Sequence, residues 1–252
     1  MHKDNLLLTQ NLTKKEPLLV ILPGWAGLGQ HILDLCPYSG PIVALSYTTP
    51  ETVKELTIVL NQYLNETPHN QLIILGFSYG GFITPSLFSS LQYRIKHCFL
   101  VGICENYPQK TLKFIHSKLE KDHKDYITQF YQAALTKTEF SKFMSQYGNS
   151  ILTFFSKAIL LDTLKHLGTL AISESILCDT SDVPVTLLHG ENDVIAPLND
   201  AQNLVRNKKS VLKIIPGACH FPFYNPVFWK IFYNVVSSNP TRMVVNTDIL
   251  LS

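Results

Sequence analysis

The chain has 252 residues, enough for one α/β domain carrying an insertion. Hydrophobic side chains make up 46% of it, which supplies a core and excludes a disordered polymer. Lys and Arg number 21 against 19 Asp and Glu, so bulk charge offers no grip on nucleic acid.

No apolar run reaches the length of a membrane span. The N-terminus opens with charge at Lys3 and Asp4. Leu6-Leu7-Leu8 is too short for a signal-peptide core and is interrupted by Asn11 and Lys14-Lys15. A cytoplasmic protein, and a monomer, is expected. The five cysteines (Cys36, Cys98, Cys104, Cys178, Cys219) have no CxxC spacing, so reduced, mostly buried thiols are expected. Cys219 reads as a small apolar filler.

Residues 6–16 hold one weak strand, and Leu18 to Leu22 a strong buried one. The latter runs into Pro23-Gly24-Trp25-Ala26-Gly27. His31 to Cys36 suits a short helix and Pro41 to Tyr47 another strand. Thr52 to Asn65 carries a helical stripe at Val53, Leu56, Val59, Leu60 and Leu64. Leu72-Ile73-Ile74-Leu75 then ends abruptly in Gly76-Phe77-Ser78-Tyr79-Gly80-Gly81, with a helix expected over Phe82 to Leu91. A strand, a Gly-x-Ser-x-Gly turn and a helix make the nucleophile elbow of α/β-hydrolases. Ile95 to Cys104 is the next strand. This alternation predicts a mostly parallel central sheet with helices on both faces.

From Glu105 to Ile176 no strand is expected. Tyr107 to Gly148 and Ser150 to Ala171 read as helices, the first rich in aromatics. An all-helical lid over an apolar pocket is predicted. If Gln109 to Ile127 is one continuous helix, Lys110, Lys113, Lys121 and Lys124 share an arc of roughly 80°, opposite Leu112, Ile115, Leu119 and Tyr126. Such a basic face is either ordinary solvated surface or a dock for an acidic partner. The predicted organisation is core 1–104, lid 105–176 and core 177–252.

Strands resume at Val183 to Leu188, followed by His189-Gly190-Glu191-Asn192-Asp193 and Pro197. A last strand, Val211 to Ile215, leads through Pro216-Gly217-Ala218 to Cys219-His220-Phe221-Pro222. Asn225 to Val236 closes the chain as a helix.

Ser78, Asp193 and His220 stand in the chain order of the α/β-hydrolase triad, each just past the carboxyl end of a predicted strand. A serine hydroxyl needs a base to take its proton, which His220 supplies. Asp193 holds the imidazole in the right tautomer. The backbone N–H groups of Trp25 and Tyr79 are the expected oxyanion donors. His189 is expected to shape the turn at Asp193. Asp162 and His166 read as a surface pair at i, i+4 spacing, and Asp179 and Asp182 fall on the opposite edge of the sheet. No cluster has metal-ligand spacing, and the glycines fit neither a P-loop nor a dinucleotide fingerprint, so no cofactor is expected.

Four segments together resemble the biotin-synthesis carboxylesterases over most of the chain. They are Leu22-Pro23-Gly24-Trp25, Gly76 to Gly81, His189-Gly190-x-x-Asp193 with Pro197, and Ala218 to Pro222. That family cleaves the methyl ester of pimeloyl-acyl carrier protein. The resemblance implies Ser78, Asp193 and His220 as the triad. It places Trp25 and Tyr79 at the ester end and residues around Phe130, Tyr131 and Ala134 along the acyl chain. It also implies an acyl carrier protein as partner, held by basic lid residues. Pro23 departs from the family, where a histidine precedes that glycine. The same motifs serve a general short-chain carboxylesterase without a protein partner, or a lyase like that of menaquinone synthesis. A ligand receptor on this scaffold often lacks a triad member, and here all three are present.

Overall fold

Seven strands form a single sheet in the order β1-β3-β2-β4-β5-β6-β7 in the computed structural model, which describes residues 7–12, 16–66, 71–172, 183–205 and 210–237. The strands are β1 Leu7–Gln10, β2 Leu18–Leu22, β3 Ile42–Leu45, β4 Leu72–Phe77, β5 Ile95–Val101, β6 Val185–Gly190 and β7 Ser210–Ile215. Only β1 runs antiparallel, against β3; every other pairing is parallel. Strands β2, β3, β4 and β6 are buried at every position, as strands covered on both faces must be. The sequences of β2 and β3 are accordingly continuous apolar runs rather than alternating ones, and that of β4 is broken only by Gly76.

Helices α1 Gly29–Leu33, α2 Pro50–Glu66, α3 Tyr79–Ile83 and α4 Pro85–Leu91 lie between the first five strands. The single helix expected after the elbow is two. Pro85 has no N–H to continue the first, and it opens the second, where that group is not needed. Among the described residues three helices lie between β5 and β6: α5 Gln109–Ala134, α6 Lys137–Phe154 and α7 Lys157–Leu167. The expected long segments divide at caps. Thr136 Oγ1 accepts from the Glu139 amide while the Glu139 carboxylate accepts from the Thr136 amide. Ser156 Oγ accepts from the Ile159 amide and starts α7.

Helix α5 is not continuous, which corrects the wheel drawn for its lysines. Asp122 leaves helical geometry at φ −157° and ψ 98°. Its carboxylate accepts the amides of Lys124 and Asp125, both at 3.0 Å, and so caps a second segment. Lys110, Lys113 and Lys121 precede the break and Lys124 follows it. All four remain exposed, while Leu112, Leu119 and Ile127 keep one buried stripe across it.

Short helices Leu198–Asn203 and Pro226–Ser237 flank β6 and β7 in sequence. Cys178, Asp179 and Asp182 lie outside the described residues, as does the end of the predicted lid at residue 176. Among the described residues no helix is long and apolar enough to cross a membrane.

Candidate active site

The sharpest backbone feature lies at the carboxyl end of β4, in the middle of the sheet. Ser78 has φ 48° and ψ −116°, a conformation side-chain-bearing residues rarely adopt. It is held there by two hydrogen bonds: its amide donates to Val101 O at 2.8 Å, and its carbonyl accepts from the Phe82 amide at 3.1 Å. The flanking glycines are required by close approach. A Cβ on Gly80 would fall 2.3 Å from Leu22 O, and one on Gly76 would fall 2.9 Å from the Gly81 Cα. The serine is thus lifted off the strand end toward the edge where the other parallel strands also finish.

Asp193 and His220 reach that edge from β6 and β7. His220 Nδ1 donates to Asp193 Oδ2 at 2.7 Å, and the Ser78 hydroxyl donates to His220 Nε2 at 3.0 Å. Directions follow from chemistry, since a carboxylate only accepts. Asp193 Oδ1 accepts two amides, from Ile195 at 2.8 Å and Ala196 at 2.9 Å. Ser78 is 5% exposed, Asp193 8% and His220 1%. Burial alone raises the Asp193 carboxyl, but His220, the Ala196 amide and His189 together draw it below the ordinary carboxylate value.

His189 stands beside this chain without joining it. Its Nε2 donates to Ala196 O at 2.8 Å and lies 3.5 Å from Asp193 Oδ2. Burial lowers its pKa and keeps it neutral. It therefore ties the turn that presents Asp193.

The loop after β2 closes the other side. A Cβ on Gly24 would fall 2.9 Å from the Phe77 ring and 3.2 Å from the Ser78 Cβ, so the loop passes directly against the serine. The next residue, Trp25, sends its indole across to the insertion. Nε1 donates to Leu160 O at 3.3 Å, and the ring meets Phe130 edge-on at 5.4 Å. The Tyr131 hydroxyl donates to Ala26 O at 2.7 Å, and the Phe221 amide donates to Ala134 O at 2.9 Å. Phe130 lies 6.5 Å from the His220 ring. Phe130, Tyr131 and Ala134 thus line one small pocket with Trp25, His31, His220 and Phe221. Its void is only ≈ 10 Å³, room for about one water. A wider groove of ≈ 500 Å³ lies between α5 and α7, lined by Leu112, Lys113, His116, Leu161, Leu164 and Lys165 but by none of Ser78, Asp193 and His220.

Three residues near the site carry no local signal of their placement. His166, expected in a surface pair with Asp162, instead bonds the Tyr79 hydroxyl through Nδ1 at 2.7 Å. Tyr107 turns its hydroxyl toward Ser78 and Cys104, where burial pushes the phenol well above its usual value. His31 sits in an aromatic cage of Tyr131, Phe143 and Tyr147.

The sequence matches no protein-family model and no curated protein. Solved structures do match along nearly the whole chain. An esterase from Exiguobacterium antarcticum superposes with TM-score 0.76 at 15% identity, covering 92% of this chain and 95% of that one. A hydrolase from Oleispira antarctica gives 0.74 at 12%, covering 94% and 96%. The 2-hydroxy-6-oxo-6-phenylhexa-2,4-dienoate hydrolase of Rhodococcus sp. strain RHA1 gives 0.71 at 16%, covering 92% and 94%. The parallel sheet, the strand-end elbow and these superpositions agree: the chain has the α/β-hydrolase fold.

Proposed function

We propose that the chain is a serine carboxylesterase, with Ser78 as nucleophile, His220 as general base and acid, and Asp193 as the orienting carboxylate. The observation that carries this reading is the unbroken chain from Asp193 Oδ2 through both His220 nitrogens to Ser78 Oγ. Ser78 Oγ attacks the ester carbonyl as its proton passes to His220 Nε2. The imidazolium, held by Asp193, then protonates the departing alcohol. Water, deprotonated by the same nitrogen, attacks the acyl-enzyme and releases the acid with Ser78 restored. The amides of Trp25 and Tyr79 stabilise the oxyanion; among the described residues no backbone carbonyl accepts from either. A fluorophosphonate should label Ser78 and leave Ser78→Ala unlabelled. Failure to label the wild-type chain overturns the reading.

The finer reading is that the substrate is the methyl ester of pimeloyl-acyl carrier protein. It rests on the sequence resemblance and has two physical supports. The lining beside His220 is aromatic, with Phe130 and Tyr131 next to Ala134, an apolar surface that an acyl chain meets only by displacing side chains from a void of ≈ 10 Å³. Lys110, Lys113, Lys121 and Lys124 are exposed on the insertion, and Lys113 rims the outer groove, where an acidic carrier could rest. Reversing charge at Lys121 and Lys124 should raise KM for a carrier-bound ester and spare a p-nitrophenyl ester. Equal loss on both, or no loss, sinks the carrier-protein reading and leaves a general carboxylesterase.

A further inference from the structure

The groove between α5 and α7 takes no part in the proposed chemistry, and its floor and rim differ in kind. A Cβ on Gly168 would fall 2.9 Å from Leu112 Cδ1, and Lys157 Nζ meets Glu120 Oε2 at 2.9 Å. Positions rising along α5 thus face positions falling along α7, so the two helices run antiparallel. The groove follows them from Gln109 and Thr169 at one end to His116 and Leu161 at the other. The stretch of helix from Gln109 to His116 gives it a length of about 10 Å. One turn beyond His116 the Lys157–Glu120 pair bridges the helices and bounds that end. Its ≈ 500 Å³ falls within the range of small-molecule sites.

The floor is apolar. Leu112 and Leu164 are buried where the helices meet, and Leu161 is half-buried on the same groove. The rim is basic. Lys113 comes from α5 and Lys165 from α7, both exposed, and among the described residues neither has an ion-pair partner. No carboxylate is among the lining residues. Glu120, close enough to feel the charge of His116, is already engaged by Lys157. Asp162 is exposed on α7 and does not line the groove.

An apolar floor between two unpaired cations selects one chemistry. A small inorganic anion would leave the leucines in water, and a neutral chain would leave the lysines unpaired. A cationic amphiphile would meet like charge from both walls. We propose that this groove binds a free medium-chain alkyl carboxylate, its chain along Leu112, Leu161 and Leu164 and its carboxylate against Lys113 and Lys165. The site stands apart from the esterase reading, since none of Ser78, Asp193 and His220 lines it.

The test titrates leucine-methyl-labelled protein with decanoate, octanoate, decanol and decyltrimethylammonium, each below its micelle concentration, and reads methyl NMR shifts. Decanoate should shift the methyls of Leu112, Leu161 and Leu164 saturably, and decyltrimethylammonium should leave them unmoved. Octanoate should bind about 4-fold more weakly than decanoate, since each methylene lost from a half-open groove costs about 2-fold. The double variant Lys113→Gln/Lys165→Gln changes only exposed side chains, so it should fold normally; it should weaken decanoate about 10-fold and leave decanol unchanged. Ser78→Ala should bind decanoate as the wild-type chain does. No saturable shift at these leucines, an equal response to decanoate and decyltrimethylammonium, or an affinity unchanged in the double variant overturns the inference. So does a shift caused by an acidic helical peptide where decanoate gives none, which would assign the groove to a protein partner. Failure of a fluorophosphonate to label Ser78 refutes the esterase reading and leaves decanoate binding standing, so the two fail separately.

Discussion

The Tyr79 hydroxyl and His166 Nδ1 stand 2.7 Å apart and join the residue after the elbow serine to helix α7 of the insertion. This bond links α3 to α7 across 87 positions of sequence. It adds to the contacts of Trp25 with Leu160 and of Tyr131 with Ala26. The insertion is thereby hydrogen-bonded to the elbow and to the loop after β2. His166→Ala should cost about 1 kcal/mol, lowering Tm by about 2–4 °C. Amides of α7 should then exchange faster with solvent deuterium while those of β4 stay protected, as hydrogen-exchange mass spectrometry would record. Uniform loss of protection across both elements would mean the bond is not local.

Asp193→Asn should preserve the turn and remove the chemistry. The side-chain oxygen can still accept the Ile195 and Ala196 amides, so Tm should change little. The side-chain NH₂ would face His220 Nδ1 and drive the ring proton to Nε2, leaving no base for Ser78. A loss of about 10⁴-fold in kcat is expected. Steady-state kinetics on a p-nitrophenyl ester checks it, and a loss below tenfold would remove Asp193 from its role.

Phe130→Ala should change chain-length preference. The ring stands between Trp25 and His220, where only ≈ 10 Å³ is empty. Removing it opens space beside the ester, so kcat/KM should shift toward longer acyl chains across a p-nitrophenyl series. Phe130 is only half-buried, so the stability cost should be about 2 kcal/mol, below that of a fully buried ring. An unchanged optimum would place the acyl chain elsewhere.

Stability should fall with acid through the buried histidines. His31 is depressed to about 3 and His97 to about 4, each chiefly by burial. Below the ordinary histidine value of 6.5 the unfolded chain takes up protons that the folded chain refuses. Stability therefore drops as pH falls from 6.5 toward those lowered values, by about 1.4 kcal/mol per pH unit for each fully neutral histidine. Asp193, depressed as well, adds a loss at lower pH, as pH falls through its folded value. Denaturant melts between pH 4.5 and 6.5, a window about two units wide below the free histidine pKa, should show a slope smaller by about one proton in His31→Phe. An identical slope would mean His31 titrates normally.

Much of the fold was legible because strands, turns and their order are written locally. Leu18 to Leu22 and Leu72 to Phe77 are apolar throughout because both faces of a central parallel strand are covered. Gly76 and Gly80 flag the elbow because neighbouring backbone leaves no room for a Cβ. Helix boundaries were less legible. The break at Asp122 depends on one carboxylate turning back onto two amides, and periodicity cannot register that. The split at Pro85 is legible, because proline cannot continue a helix, although Phe82 to Leu91 otherwise reads as one element.

What the sequence by itself determined is the hydrolase architecture and a Ser78, Asp193, His220 set in a fixed order, since each follows its own strand and parallel strands end on one edge. Only the tertiary structure decided the surroundings of that set. Trp25 meets Leu160 across 135 positions, and Tyr131 meets Ala26 across 105. His31 gains its cage from residues a hundred or more positions away. A pocket wall is a relation between distant segments, and no single segment encodes it. The groove between α5 and α7 likewise brings Lys113 and Lys165 together from helices that periodicity treats one at a time.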